Sequence, residues 1–199
     1  MTSDGCVIPQ TASETSAGAR AHDALMDEAA FQAFYRRHNR ALWGYLCRMV
    51  GNQTQADDVL QEAFCKFLVA PIGALDEQAQ RAYLFRIATN LVIDQHRRRT
   101  REQQALEELG RPDQESGPHG GRRTYQPSAF SLDMARTFQE LKPRERALLW
   151  LAYVEGSAHD EIAQSLGLKP KSIRVLLFRA RHRLAALLRK KGLGTEAGT

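Results

Sequence analysis

Basic residues near the C-terminus are the clearest chemical signal in this sequence. Nine Lys or Arg residues and no Asp or Glu lie between Lys169 and Lys191, whereas the whole chain has a formal net charge of +5. Positive charge concentrated in one segment is what binding to nucleic-acid phosphates requires. The alternative is a basic helix face that contacts only solvent.

The residues around this basic strip predict a helix-turn-helix. Ile162 and Ala163 belong to a first short helix, which we expect Ser157 to cap, and Gly167 interrupts the pattern. Pro170 then starts a second helix. Glycine suits the turn because it readily adopts positive φ.

The second of these helices presents a polar face that suits the DNA major groove. A helix fits that groove, and arginine there can read guanine through two hydrogen bonds. The candidate residues for reading DNA are Lys171, Ser172, Arg174, Phe178 and Arg179, and Val175 lies on the same face. A helical hairpin with a solvated face is the competing interpretation.

A second stripe of unusual composition lies on a helix predicted over about 78–99. Aromatic, amide and guanidinium groups recur there at steps of three or four, which places them on one face. Such groups suit unstacked bases, since aromatic and Arg side chains stack on bases and Asn bonds their edges. The residues are Tyr83, Arg86, Asn90, Asp94 and Arg97. Alternatively, Tyr83 belongs to the core and the arginines are solvated.

An acidic and amide patch precedes this helix. The patch lies off the apolar face of a helix that we expect to begin with a capping box at Thr54. Its residues are Asp57, Asp58, Gln61 and Glu62. Taken alone, the patch either binds a basic partner or is solvated.

The elements that carry these groups are all predicted to be helical. An earlier helix is indicated by helical spacing of apolar residues between Phe31 and Met49 and by a stop at Gly51. The fold class is therefore all-α, with two small helical domains over 25–101 and 132–191. A flexible linker over 102–131 joins them, because this segment is rich in Pro and Gly and has little periodicity. Residues 1–24 and 192–199 are expected to be tails.

Several function classes lack support in the sequence. The three cysteines form no CxxC pair, and no HExxH, P-loop or GxSxG motif is present. We therefore expect no catalytic residue, no metal and no cofactor, and the chain is not expected to be an enzyme. The polar N-terminus and the lack of a long apolar run predict a cytoplasmic protein without membrane insertion.

Together these motifs resemble extracytoplasmic-function sigma factors of the sigma-70 family. The resemblance covers about 25–100 and 135–191, in the order of that family's second and fourth conserved regions. The matching segments are 57–64 (DDVLQEAF), 82–94 (AYLFRIATNLVID), 97–99 (RRR), 141–146 (LKPRER), 160–163 (DEIA) and 172–183.

The resemblance implies a non-catalytic specificity subunit of RNA polymerase that recognises promoters. It implies that Asp58, Gln61 and Glu62 dock on the clamp helices of the polymerase largest subunit. It implies that the 78–99 helix reads and helps to melt the −10 element, where Asn90 contacts a base, and that the loop Gly73 to Gln80 captures a flipped base. Its further implications are an anti-sigma partner and −35 reading by the helix that carries Arg174, Phe178 and Arg179.

Some positions depart from the family pattern. Tyr83 stands where Trp is usual, and Lys169 takes the place of the usual Ser or Thr cap. Val175 and Leu176 replace more polar residues, and the loop after Pro71 lacks the usual aromatic and basic residues.

A conventional helix-turn-helix regulator is the alternative function. It would use the first domain as a sensor or dimeriser and would bind a palindromic operator without polymerase. The Asp58 patch and the Asn90 stripe argue against it, because a sensor needs neither.

Overall fold

The computed structural model describes residues 26–108 and 129–193, and every regular element in these ranges is an α-helix. The predicted all-α fold class is confirmed. The helices are α1 (Glu28–Val50), α2 (Gln53–Leu68), α3 (Glu77–Glu108), α4 (Ala129–Gln139), α5 (Pro143–Tyr153), α6 (His159–Leu166) and α7 (Pro170–Lys190).

The junction between α1 and α2 is set by two adjacent residues. Gly51 ends α1 with φ of 75°, in the left-handed region that glycine adopts without strain, as the sequence predicted. Asn52 then caps α2, and its side chain accepts a hydrogen bond from the backbone N–H of Gln55 at 3.2 Å. The predicted capping box at Thr54 is therefore wrong, because an amide in extended conformation directly after the stop starts the helix earlier.

The first domain, α1 to α3, is built around buried aromatic side chains. Phe34 stacks on Phe67 with ring centroids 4.7 Å apart, and Tyr45 packs against Phe85 at 5.2 Å. The Tyr45 hydroxyl lies 2.6 Å from Thr89 Oγ1, which donates to the Phe85 carbonyl. Burial raises the pKa of Tyr45, so the phenol stays neutral and supplies a hydrogen bond inside the core.

Helix α3 is longer than the sequence predicted. It continues to Glu108, because the residues after Arg99 are mostly strong helix formers and Arg98 pairs with Glu102 at 3.5 Å. The predicted linker is shorter at both ends, since 102–108 continue α3 and 129–131 begin α4. The rest of that linker and the predicted tail 1–24 lie outside the described residues, as does the second tail apart from 192–193.

The second domain, α4 to α7, contains the predicted helix-turn-helix. Gly167 has φ of 61°, and Ile162 and Ile173 are fully buried between α6 and α7. Ser157 is not the cap of α6, however. The helix starts at His159, and the Glu161 side chain accepts the backbone N–H of Ala158 at 3.0 Å.

The two domains pack against each other around a continuous core. Helix α3 lies against α5 and α6, and α1 lies against α4 and α5. Leu84 and Val92 of the first domain join one buried cluster with Leu148, Leu151 and Ile162 of the second. The sequence predicted two domains on a flexible linker but did not predict this interface.

The aromatic core of the first domain gives a stability prediction. Phe67 is fully buried, so Phe67→Ala should lower the free energy of unfolding by about 3–5 kcal/mol through lost burial and a residual cavity. Val69 is 73% exposed two residues away, so Val69→Ala should change it by less than about 0.5 kcal/mol. Urea denaturation followed by circular dichroism measures both. Similar losses in the two variants would contradict this account of the core.

Candidate nucleic-acid interface

The predicted stripe on α3 reaches the surface along most of its length. Arg86, Asn90, Asp94 and Arg97 are exposed, and Tyr83 is partly buried against the core. Arg97 Nη1 lies 3.6 Å from Asp94 Oδ1. Because this ion pair is exposed to solvent and weak, both side chains are available to other partners. The Tyr83 ring therefore packs against the core while part of it remains accessible to solvent.

Arg86 differs from its neighbours because it meets the second domain. Its guanidinium lies against the turn of the helix-turn-helix, where a β-carbon on Gly167 would be 3.3 Å from Arg86 Nε. The positive φ of Gly167 favours glycine at this turn, and a larger residue would also require the Arg86 side chain to shift. The structure thus places a residue of the α3 stripe against the turn of the helix-turn-helix.

Two further polar contacts cross the same interface. Arg81 Nη2 and Glu155 Oε2 form an ion pair at 2.7 Å, and Glu155 Oε1 accepts a hydrogen bond from Trp150 Nε1 at 3.2 Å. Gln78 donates to Glu161. Arg81 also lies over the Phe85 ring, 4.8 Å from its centroid. Residue patterns along the chain did not identify Arg81 or Glu155, because the two are distant in sequence and neither belongs to a periodic stripe.

The buried Arg146 holds Gln139, whose side chain reaches the first domain. Arg146 is 6% exposed and donates to the Gln139 backbone oxygen at 2.8 Å and to the Gln139 side chain. Gln139 in turn donates to the backbone oxygen of Arg48 in α1. Burial lowers the pKa of Arg146 to about 10, so the side chain is still charged at neutral pH.

The loop before α3 is held from both sides. Asp76 Oδ1 accepts the backbone N–H of Ala79 at 2.7 Å, and Gln80 Nε2 donates to the carbonyl of Leu75 at 3.0 Å. Glu77 pairs with Arg37 and lies 3.2 Å from His38 Nε2. Burial lowers the pKa of His38, so the ring is neutral at pH 7 and its contact with Glu77 is a hydrogen bond.

The second helix of the helix-turn-helix presents its predicted face to solvent. Lys171, Arg174, Phe178 and Arg179 are exposed, and Ser172 is partly buried. The centroids of the Phe178 and His182 rings lie 4.1 Å apart. Helix α7 therefore exposes arginines and an aromatic ring on one surface, and arginines on such a helix can reach base edges in the major groove.

The predicted patch on α2 is also exposed. Asp58, Gln61 and Glu62 all reach solvent, and Glu62 pairs with Lys66 at 3.0 Å. Asp57 is engaged differently, because its Oδ1 accepts a hydrogen bond from Trp43 Nε1 at 2.7 Å. The α2 patch thus consists of Asp58, Gln61 and Glu62, while Asp57 anchors α2 to α1.

The part of the chain that the structure describes lacks two kinds of feature. No group of three or more His, Cys, Asp or Glu residues there could hold a metal ion. No helix in the same ranges is long and apolar enough to cross a membrane.

The geometry defines a class of protein: a two-domain helical protein with a helix-turn-helix and a long helix that exposes a stripe of polar side chains. Comparison with known families agrees. The Sigma-70 region 2 model matches residues 34–102, and the Sigma-70 region 4 model matches residues 131–184. The chain belongs to the sigma-70 family.

Similar proteins identify the group within the sigma-70 family to which the chain belongs. The chain is 31% identical over 179 residues to the ECF RNA polymerase sigma factor SigL of Mycobacterium tuberculosis, covering 88% of this chain and 98% of SigL. It is similar to the structure of CnrH in complex with the cytosolic domain of CnrY, with TM-score 0.57 and 27% identity over 86% of this chain and 95% of CnrH. The sigma factor RpoE of Bartonella quintana, solved with the anti-sigma factor NepR, shares the fold with TM-score 0.60 and 22% identity, covering 80% and 96% of the two chains. The chain is therefore an extracytoplasmic-function RNA polymerase sigma factor, and the conventional regulator is set aside.

Proposed function

We propose that this sigma factor docks on core polymerase through the α2 patch, reads the −35 element with α7, and reads and helps to melt the −10 element with α3. The polymerase performs all of the chemistry, and the chain contributes specificity. The observation that carries the proposal is that one chain exposes two separate nucleic-acid-type surfaces together with an acidic patch apart from both.

The α2 patch suits a basic protein partner. Its carboxylates and amide are exposed on a helix whose other face is buried in the first domain. Charge complementarity across an interface sets partner choice and association rate. A basic segment of the polymerase clamp helices is therefore the proposed partner for Asp58, Gln61 and Glu62.

A double substitution tests this docking. Gln61→Ala with Glu62→Lys should weaken binding to core polymerase at least about tenfold, because a charge is reversed against a basic surface. Unfolding free energy should change by less than about 0.5 kcal/mol per site, since both residues are exposed.

The matched control places the same kinds of change on another exposed helix. Gln164→Ala with Asp160→Lys on α6 should leave core binding at the wild-type level. Fluorescence anisotropy with labelled protein and purified core measures both pairs. Equal affinities of the two double variants would refute the docking assignment.

The two reading helices should act at different steps of initiation. Helix α7 offers Arg174 and Arg179 to duplex DNA, whose bases are read in the major groove. Helix α3 offers Asn90 and, two turns earlier on the same face, Tyr83, and these side-chain types suit a base already removed from the stack. The −35 contact therefore comes first and the Asn90 contact follows strand opening.

This order predicts that two alanine variants separate by step. Arg174→Ala should cost about 1–3 kcal/mol of promoter affinity and relax preference at one −35 base. Asn90→Ala should form closed complexes nearly normally but open them poorly, because it loses a partner for the exposed base. Filter binding and permanganate footprinting with core polymerase measure the two steps. Equal loss of closed-complex affinity with normal opening by Asn90→Ala would overturn the assignment of α3.

An anti-sigma factor is the proposed regulatory partner. The support is that the sigma factor RpoE, which has the same fold, was solved in complex with the anti-sigma factor NepR. CnrH, at 27% identity, was solved with the cytosolic domain of CnrY.

A further inference from the structure

The loop before α3 offers its backbone rather than its side chains to a ligand. Ala70 and Ile72 are buried and fix the first end of this loop in the core, and Asp76 caps α3 at the other end. Residues 73–75 (GAL) lie between them and carry no polar side chain. Recognition by this loop therefore depends on where its backbone N–H and C=O groups lie.

Two exposed N–H groups of the loop are free to bind a ligand. Within the described residues, the backbone N–H groups of Gly73 and Ala74 donate no hydrogen bond, whereas that of Leu75 donates to the Ile72 carbonyl at 3.0 Å. Bases carry carbonyl oxygens and ring nitrogens that accept such donors. The loop can thus contact a base without any polar side chain of its own.

A cavity lies beside these N–H groups. Its volume is about 740 Å³, and its wall includes Phe34 and Arg37 of α1 together with Gly73 and Gln80. Sites for small molecules have volumes of about 300–1,000 Å³. The cavity can therefore hold one base that has left its stack.

The side chain of Gln80 fixes the shape of the loop next to the cavity. Its Nε2 donates to the Leu75 carbonyl at 3.0 Å and to the Ile72 carbonyl at 3.3 Å. These two carbonyls lie on either side of Gly73 and Ala74 along the chain. One amide group therefore holds both ends of the segment whose N–H groups are free.

We propose that Gln80 is a positioning residue for base capture, because it sets the place of the loop N–H groups that receive one unpaired base of the −10 element. Gln80 lies one turn before Tyr83, so a strand that follows the α3 stripe toward the start of the helix arrives at this loop. The captured base is not the one that meets Asn90, since about 15 Å of helix separates Gln80 from Asn90. This inference rests on the proposed function of α3.

Two substitutions remove the amide donor and keep the length of the side chain. Gln80→Met is neutral, and Gln80→Glu has nearly the shape of glutamine but only acceptor atoms when ionised. Gln80 is partly exposed, so neither change places a new group in the core. The matched controls are the same two changes at Gln103, which is exposed on the same helix.

The experiment uses the full chain assembled with core polymerase. The probe is a fork-junction DNA, with a duplex −35 element and a single-stranded −10 non-template segment, from a promoter that the wild-type holoenzyme transcribes. An abasic site replaces each −10 nucleotide in turn, and fluorescence anisotropy gives the affinity for every probe. The resulting abasic profile reports how much each base contributes to binding.

The wild-type profile should show a loss of roughly tenfold at the captured position, in the lower part of the range for one bound base. In both Gln80 variants this loss should shrink to less than about twofold, the level at which two sites count as independent. Losses at the other positions should persist. Asn90→Ala should remove the loss at a different position, and the Gln103 variants should reproduce the wild-type profile.

A purely structural role for Gln80 predicts another result, because a weakened fold lowers the affinity for every probe by the same factor and leaves the abasic losses unchanged. That result would overturn the proposal, as would equal profiles for Gln80→Met and Gln103→Met. Failure of the proposed function is distinguishable. It would appear in the wild type as a profile without a loss at any −10 position, whereas failure of this inference alone leaves the wild-type losses in place.

Discussion

Helix α3 is buried on two sides, by the α1–α2 bundle and by helices α5 and α6 of the second domain. Apolar burial is the dominant favourable term in folding, and here one buried cluster includes Leu84 and Phe85 as well as Leu148 and Ile162. The position of the second domain therefore follows from the core of the first. The polar contacts between the domains, including those of Arg81 and Gln139, surround this shared apolar core.

Two arginines at the edge of the domain interface bear on DNA recognition. Arg86 and Arg81 carry positive charge on the helix that reads the −10 element in the proposed function, and both contact the second domain. In the proposed function, polymerase would hold the two domains at promoter spacing, which would give the pair a high effective concentration at the promoter.

The sequence predicted features that depend on local chemistry. Gly51 and Gly167 were identified as stops because a positive φ favours glycine, and the exposed faces of α3 and α7 follow from helical spacing. Helix starts were less predictable, since Asn52 and Ala158 act as caps where Thr54 and Ser157 were expected. Several residues near a helix start can compete for the cap, and packing decides among them.

The interface between the domains was beyond sequence reasoning for a different physical reason. Arg81 and Glu155 are 74 residues apart, and Gln139 reaches Arg48 across 91 residues. No periodicity records such contacts, and single charged residues are read by default as solvated. The sequence did not predict the extension of α3 to Glu108, because the segment 102–131 is rich in Pro and Gly and has little periodicity, although the residues directly after Arg99 favour helix.

The central claim is that a shared buried core closes the domain interface in the free sigma factor, and the proposed function predicts that this interface opens on polymerase. Spin labels on Cys65 of α2 and on Ala185→Cys of α7, with Cys6→Ser and Cys47→Ala, place both probes on exposed surfaces away from the interface contacts described above. Double electron–electron resonance should give one narrow distance distribution for the free chain and a shifted distribution for the complex with core polymerase. A broad distribution in the free chain, or the same narrow distribution in both states, would contradict the account.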